Sequence, residues 1–248
     1  MRFHIITIFP DIFDSYLNES IIGRAIKNKL ISVKFYNPRD FIKAQKNNYK
    51  PVDDKPYGGG PGMVMRAEPI LKAVDFVFKK LKAKSSKLKA VLVINFIPSA
   101  EKFTTNYAKN ISKKYTDIIL ICGRYEGIDA RVDKILRQAQ DKFLKFKLLS
   151  IGDYVLTGGE IPAMILVDCV SRQIEGVLGN YDSREEERIS SSEVYTRPEV
   201  IKYRPSKAIK NLYKNYKACP VGSTLSFGVP KVLLSGNHKN IEEWKKRK

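Results

Sequence analysis

The sequence predicts an α/β fold built on a mainly parallel sheet. Three observations carry this. Short apolar runs alternate with segments whose apolar residues recur at helical spacing. The apolar runs are continuous rather than alternating, as in strands buried on both faces. Two of the runs end directly in glycine-rich stretches, the usual punctuation at the carboxyl end of a strand in such sheets.

Residues 3–9 (FHIITIF) read as the first strand, ended by Pro10. Residues 20–29 read as a short helix with Ser20 as its N-cap, and 31–36 as a second strand. The polar and then glycine-rich stretch 43–66 is a long loop, and loops of that length are usually functional or unstructured. From Ala67 to Leu81, Ile70, Val74, Val77 and Leu81 step at helical spacing. Residues 89–96 form a buried strand. Phe103, Tyr107, Ile111 and Tyr115 mark a helix, and 117–122 a further strand. A helix follows Gly127, a strand covers 146–151, and an apolar helix covers 160–173. Composition changes after Gly179. Residues 180–193 are polar and charged, so a domain boundary falls near 178–197, with a small, basic, helical segment beyond Pro198.

The chain has 248 residues, 45 Lys plus Arg and 26 Asp plus Glu, a net charge of +19. Such an excess points to a polyanionic partner, although a solvated Lys-rich surface also accounts for it. In residues 206–218, Lys207, Lys210, Lys214 and Lys217 share one helical face, and Ile209, Leu212 and Tyr216 share another. A helix of this kind either lies along a phosphate backbone or packs as a solvated amphipathic element. Cys122, Cys169 and Cys219 form no CxxC pair, which speaks against a disulfide framework or zinc site. His4 and His238 stand apart in sequence and read as structural. No apolar run is long enough to span a bilayer, so no membrane partner is expected and the chain reads as cytoplasmic.

Three glycine-rich stretches carry the chemistry: 53–62 (DDKPYGGGPG), 123–129 (GRYEGID) and 150–160 (SIGDYVLTGGE). None matches the dinucleotide or P-loop fingerprint. Each glycine alone could serve an ordinary tight turn. Two such stretches at strand ends, with acidic and aromatic neighbours, favour a ligand pocket. The third stretch has no basic residue, so it suits a flat uncharged base better than a phosphate, and Glu126 is available to face a cation. S-adenosylmethionine has both an adenine and a sulfonium.

Together with 195–200 (YTRPEV), 232–238 (VLLSGNH), 8–10 (IFP) and 23–25 (GRA), these stretches closely resemble the bacterial tRNA (guanine-N1)-methyltransferases, the TrmD family of the SPOUT superfamily. The resemblance runs from residue 1 to about 200 and resumes at 230–245. It implies a SPOUT-type parallel sheet with a deep trefoil knot, a small helical C-terminal domain, and a homodimer. The implied divisions are 1–178, a knotted S-adenosylmethionine-binding catalytic domain; 179–197, a flexible linker carrying the base; and 198–248, a basic helical tRNA-binding domain. The implied activity is methyl transfer to N1 of the guanosine immediately 3′ of the anticodon, position 37. The alternative is a degenerate relative that binds tRNA without methylating it.

Carried over by position, Pro98, Gly123, Glu126, Ile151, Gly152, Asp153, Tyr154, Val155, Leu156, Gly158, Gly159 and Pro162 bind the donor. Arg172 assists catalysis. The general base falls at Glu187, where the family has aspartate. The extra methylene moves the carboxylate by about 1.5 Å, and Glu185, Glu186 and Asp182 lie close by in sequence. Arg24, Asp53, Asp54, Lys207, Lys210, Lys214 and Lys217 are the expected tRNA-binding residues. Mg2+ is left open as an assistant, with no metal ligand assigned. Departures from the family pattern are Ile97-Pro98-Ser99-Ala100 in place of a Ser-Pro-Gln-Gly loop, about eight extra residues within 134–146, about twenty around 203–226, and a short C-terminus.

Overall fold

A computed structural model describes residues 1–84, 90–179, 193–203 and 224–247. The chain divides into two compact units, Met1–Tyr181 and Asp182–Lys248.

In the first unit, strands β1 (Arg2–Ile6), β2 (Ser32–Tyr36), β5 (Val91–Lys102), β6 (Asp117–Ile121) and β7 (Leu144–Ser150) form one sheet in the order β2-β1-β6-β5-β7. Every neighbouring pair is parallel. The predicted parallel α/β class is therefore observed. The apolar strand runs are explained by burial on both sides. Phe3, Ile5, Leu92, Ile94, Ile118 and Leu120 face one core. They pack there with α1 (Asp14–Leu17), α2 (Ser20–Lys27), α4 (Thr105–Lys114) and α6 (Glu160–Ser171). Ile6, Val91, Val93, Ile119 and Ile121 face the other. They meet α3 (Ala67–Lys84) and α5 (Arg131–Gln138). Residues of opposite parity on one strand thus serve opposite cores, as the pleat requires.

Several boundaries differ from the sequence expectation. Pro10 does end β1, but it opens a short 3-10 turn, Pro10–Phe13, that runs into α1. Ser20 is not a capping residue: its φ is 51°, the cap position is Glu19, and no side chain caps the helix. The long loop contains a small antiparallel pair, β3 (Asp53–Asp54) with β4 (Val64–Met65). Strand β5 continues past 96 because its pairing with β7 resumes after a register shift between Phe96 and Glu101. Pro98 lies within that bulge, where no ladder hydrogen bond is required of it. Beyond α5 the chain makes a turn in which the Asp141 carboxylate accepts the N–H groups of Phe143 and Leu144, each at 2.7 Å.

The second unit departs from the helical expectation. Its described residues include an antiparallel pair, β8 (Val200–Tyr203) with β9 (Leu225–Gly228), as well as α7 (Lys231–Leu234) and α8 (His238–Arg247). Val200, Ile201 and Tyr203 are β-branched or aromatic, and pairing overrides a basic composition that reads as helical. Tyr195 packs against Trp244 of α8 with ring centroids 6.2 Å apart.

Candidate functional site

The carboxyl ends of β5, β6 and β7 open into a cleft of about 330 Å³. Its wall is made from the β5 bulge, the 123–128 loop after β6, the 149–159 loop after β7, and the start of α6. The two glycine-rich stretches separated in sequence are therefore one site. Of the expected donor-binding residues, Pro98, Gly123, Glu126, Ile151, Gly152, Tyr154, Val155, Leu156, Gly158, Gly159 and Pro162 line it. Asp153 is the exception. Its side chain is exposed and pairs with the Lys102 Nζ at 2.5 Å, away from the wall.

The two loops are locked together by backbone. The Gly159 N–H donates to the Gly123 carbonyl at 2.9 Å, and Arg124 bridges to Gly158. A Cβ at Gly159 would lie 2.6 Å from the Cys122 Cα, so only glycine allows this approach. The long loop joins from the other side. The Met65 N–H donates to the Gly127 carbonyl and the Glu126 N–H to the Met63 carbonyl. Gly62, at φ 83°, lies beneath the Glu126 side chain, where a Cβ would meet its Oε1 at 2.5 Å.

A buried ionic group supports the cleft. Glu160, at the first turn of α6, is 1% exposed. It accepts a hydrogen bond from the Thr7 Oγ1 at 2.8 Å. The Arg124 Nε lies 2.9 Å from its other oxygen, in ion-pair contact but without hydrogen-bond alignment. The Arg124 guanidinium also stacks over the Phe9 ring at 4.8 Å. Arg124 and Glu160 sit inside the quoted stretches, yet only their joint burial reveals this role. Beneath them, burial first and the Glu160 charge second push the Cys122 thiol well up, so it stays protonated.

The remaining expected residues are dispersed. Asp53 reaches the cleft rim, where it is hydrogen-bonded with Tyr125. Burial, and then the Asp53 charge, raise the tyrosine's pKa. Tyr125 therefore remains a neutral O–H donor. The Asp54 carboxylate accepts the Lys55 N–H at 2.8 Å, a local turn bond. Arg24 is exposed on α2, which contributes nothing to the cleft wall. Arg172 caps the far end of α6, about 18 Å along the axis from Glu160 at 1.5 Å per residue. Glu187, Lys207, Lys210, Lys214 and Lys217 lie outside the described residues.

Among the cleft residues outside the expected set, Asn95 and Asp133 form a polar pair. Asn95, at the end of the regular part of β5, is buried and donates through Nδ2 to the Asp133 Oδ1 at 2.9 Å. Its Oδ1 is buried without a partner. Among the described residues, no three His, Cys, Asp or Glu side chains gather as a metal site, and no helix is long and apolar enough to cross a membrane.

A parallel α/β layer with a glycine-built cleft at the carboxyl ends of adjacent strands is the architecture of a ligand-binding enzyme domain. Comparison with known proteins makes the class specific. All of the chain, residues 1–248, matches the family described as tRNA (Guanine-1)-methyltransferase TrmD. The tRNA (guanine-N(1)-)-methyltransferase of Buchnera aphidicola is 41% identical over 98% of this chain and 87% of its own length. That of Clostridioides difficile is 41% identical over 99% and 91%, and that of Desulforamulus reducens 40% over 100% and 83%. The chain belongs to the tRNA (guanine-1)-methyltransferase family.

Proposed function

We propose that this protein transfers the methyl group of S-adenosylmethionine to N1 of a tRNA guanosine, the one immediately 3′ of the anticodon at position 37. The observation that carries the reading is the union of the 123–128 and 149–159 loops into a single cleft. The cleft suits the donor. Its 151–156 segment offers backbone and small or aromatic side chains to a flat base, Glu126 offers a carboxylate to a cation, and the unpartnered Asn95 Oδ1 awaits a hydrogen-bond donor. When bound, the donor supplies an electrophilic methyl group beside a positive sulfonium. Gly158, Gly159 and Pro162 keep the wall close and exclude water, and Tyr154, Val155 and Leu156 cover the base.

Guanine N1 carries a proton at neutral pH, so a carboxylate must take it as the methyl moves. Glu187 is assigned that role. Arg172 is assigned to balance the negative charge that develops on O6. Because Arg172 lies about 15 Å along α6 from Pro162, the part of that helix that lines the cleft of its own chain, it is assigned to the cleft of a second copy, in a homodimer. Exposed apolar groups support such an assembly. Phe9, Ile12, Tyr16 and Ile161 are each 40–47% exposed, and Tyr16 is hydrogen-bonded to Asp168 of α6, so they share one region. Asp53 and Asp54 accept from the guanine edge, and Arg24, Lys207, Lys210, Lys214 and Lys217 meet phosphates. The close passage of the 151–159 segment against 122–126 supports a trefoil knot in residues 1–178. A tRNA substrate supports a cytoplasmic location. No step is assigned to Mg2+.

Labelled S-adenosylmethionine incubated with a transcript carrying guanosine 3′ of the anticodon should yield N1-methylguanosine, and an adenosine-substituted transcript should yield nothing. Absence of methyl from both, with tRNA still bound, would leave a binding protein only.

A further inference from the structure

The strand order places β5 between β6 and β7. The loop after β6 carries Glu126, suited to a sulfonium, and the loop after β7 carries the segment suited to adenine. Adjacent strands are about 4.8 Å apart, so the ends of β6 and β7 are roughly 10 Å apart across β5, a span comparable to a nucleoside, although the loops that leave them meet further on at Gly123 and Gly159. In S-adenosylmethionine the ribose joins the adenine to the carbon on sulfur, so a donor laid across these loops has its ribose over the end of β5. Two acceptors wait there. Asn95, 2% exposed, has a buried Oδ1 with no partner. Its Nδ2 donates to the Asp133 Oδ1 at 2.9 Å, which also fixes the orientation of the amide, and the second carboxylate oxygen of Asp133 remains available. The amide oxygen and the carboxylate are adjacent, and neither can donate to a ligand in this arrangement. A ligand group that meets both offers two adjacent donors, as the vicinal hydroxyls of a ribose do.

We infer that Asn95 and Asp133 form a ribose-reading pair, in which the Asp133 carboxylate and the Asn95 Oδ1 accept hydrogen bonds from the 2′ and 3′ hydroxyls of the methyl donor. Asp133 comes from α5, 38 residues from Asn95, and the two meet only because α5 packs on the face of the sheet that carries the odd-numbered residues of β5. The inference rests on the donor-site reading above, and the test separates the two.

Binding of S-adenosylhomocysteine and of its 2′,3′-dideoxyribose counterpart is measured by calorimetry on the full-length protein and on Asp133→Ala, with Asp133→Asn as a shape-preserving substitute should the alanine variant not fold. The wild type should bind the ribose form about 10- to 100-fold more tightly, the range for a hydrogen bond to a charged group. Asp133→Ala should lose that preference, binding both forms at the level at which the wild type binds the dideoxy form. A variant that weakens both ligands equally and keeps the preference would make Asp133 a structural support and overturn the inference. No preference in the wild type would overturn it too, with the donor site intact. If the wild type failed to bind S-adenosylhomocysteine at all, the donor-site reading would fall, and the pair with it.

Discussion

At the scale of the residue, one histidine and one aspartate show how a catalytic-looking constellation can be structural. Asp117 is fully buried at the start of β6. It accepts two hydrogen bonds from Arg2, both at 2.6 Å, one from Thr116 and one across 3.1 Å from His4, whose other ring nitrogen meets the Tyr36 hydroxyl. Burial pushes the carboxyl up, but the His4, Arg2 and Thr116 contacts outweigh it and hold the pKa far below the usual range. A depressed carboxyl stabilises the fold above the unfolded-state pKa of about 3.9, and that contribution drains away as pH falls towards the folded-state value. Asp117→Asn should therefore cost roughly 2 kcal/mol at pH 7. This is less than the ~3–5 kcal/mol for a fully buried pair, because Arg2 is half exposed and solvent screens it. Denaturant unfolding at pH 7 and at pH 3 checks this. The gap between wild type and variant should narrow in acid, and a gap independent of pH would show that packing alone is lost.

Gly159 makes a second argument at this scale. A methyl group there meets backbone, the Cys122 Cα at 2.6 Å and the Gly123 nitrogen at 2.9 Å, rather than a side chain that could turn away. Gly159→Ala should cost about 1–3 kcal/mol by overpacking, a fall in Tm of roughly 3–10 °C, and should weaken donor binding by spreading the two loops. Thermal melts with and without S-adenosylhomocysteine separate the effects. An unchanged Tm would mean that the loops are not in backbone contact.

At the scale of the element, α6 is apolar nearly all round. Ala163, Leu166, Val167 and Val170 are buried in the sheet-facing core, while Ile161 is 47% exposed on the opposite side. A helix of that composition, with an apolar side chain left exposed, is the face on which the proposed homodimer is tested. In the proposed homodimer, Ile161→Glu should shift the molecule towards monomer in sedimentation equilibrium while leaving its melting cooperative. A dimer that persists would move the interface elsewhere. The same helix marks what could be read from the sequence. Its apolar run, the strand runs of β1, β5, β6 and β7, and the helical spacing of α3 and α4 were legible because burial writes hydrophobicity into local pattern. Arg124, Tyr125 and Glu160 lay within stretches already singled out, but their contacts with Phe9, Asp53 and Thr7 depend on which loops meet. The Asn95–Asp133 pair was not legible for the same reason: it exists only through the order β6-β5-β7. The β8–β9 pair was missed because two strands of four residues each, far apart in sequence, carry too little periodicity to stand against basic composition.

At the scale of the whole molecule, the net charge of +19 decides how the partner is met. The cleft itself is not basic: its charged side chains are Arg124, Glu126 and Asp133, and Arg124 is committed to Glu160. Base recognition and phosphate affinity must therefore come from different parts of the chain. From Ile201 to Cys219 there are six basic residues and no acidic one. Lys207, Lys210, Lys214 and Lys217 in that stretch lie outside the described residues, so their assignment rests on spacing alone. Each phosphate contact releases counterions and adds roughly 0.7–0.9 to the slope of log K against log salt. Replacing all four by alanine should reduce that slope by about 3 and weaken tRNA binding at low salt. The KM for S-adenosylmethionine should not change, because the donor cleft contains none of these residues. An unchanged slope would place the phosphate contacts elsewhere, and a raised donor KM would mean that the two functions are not carried separately.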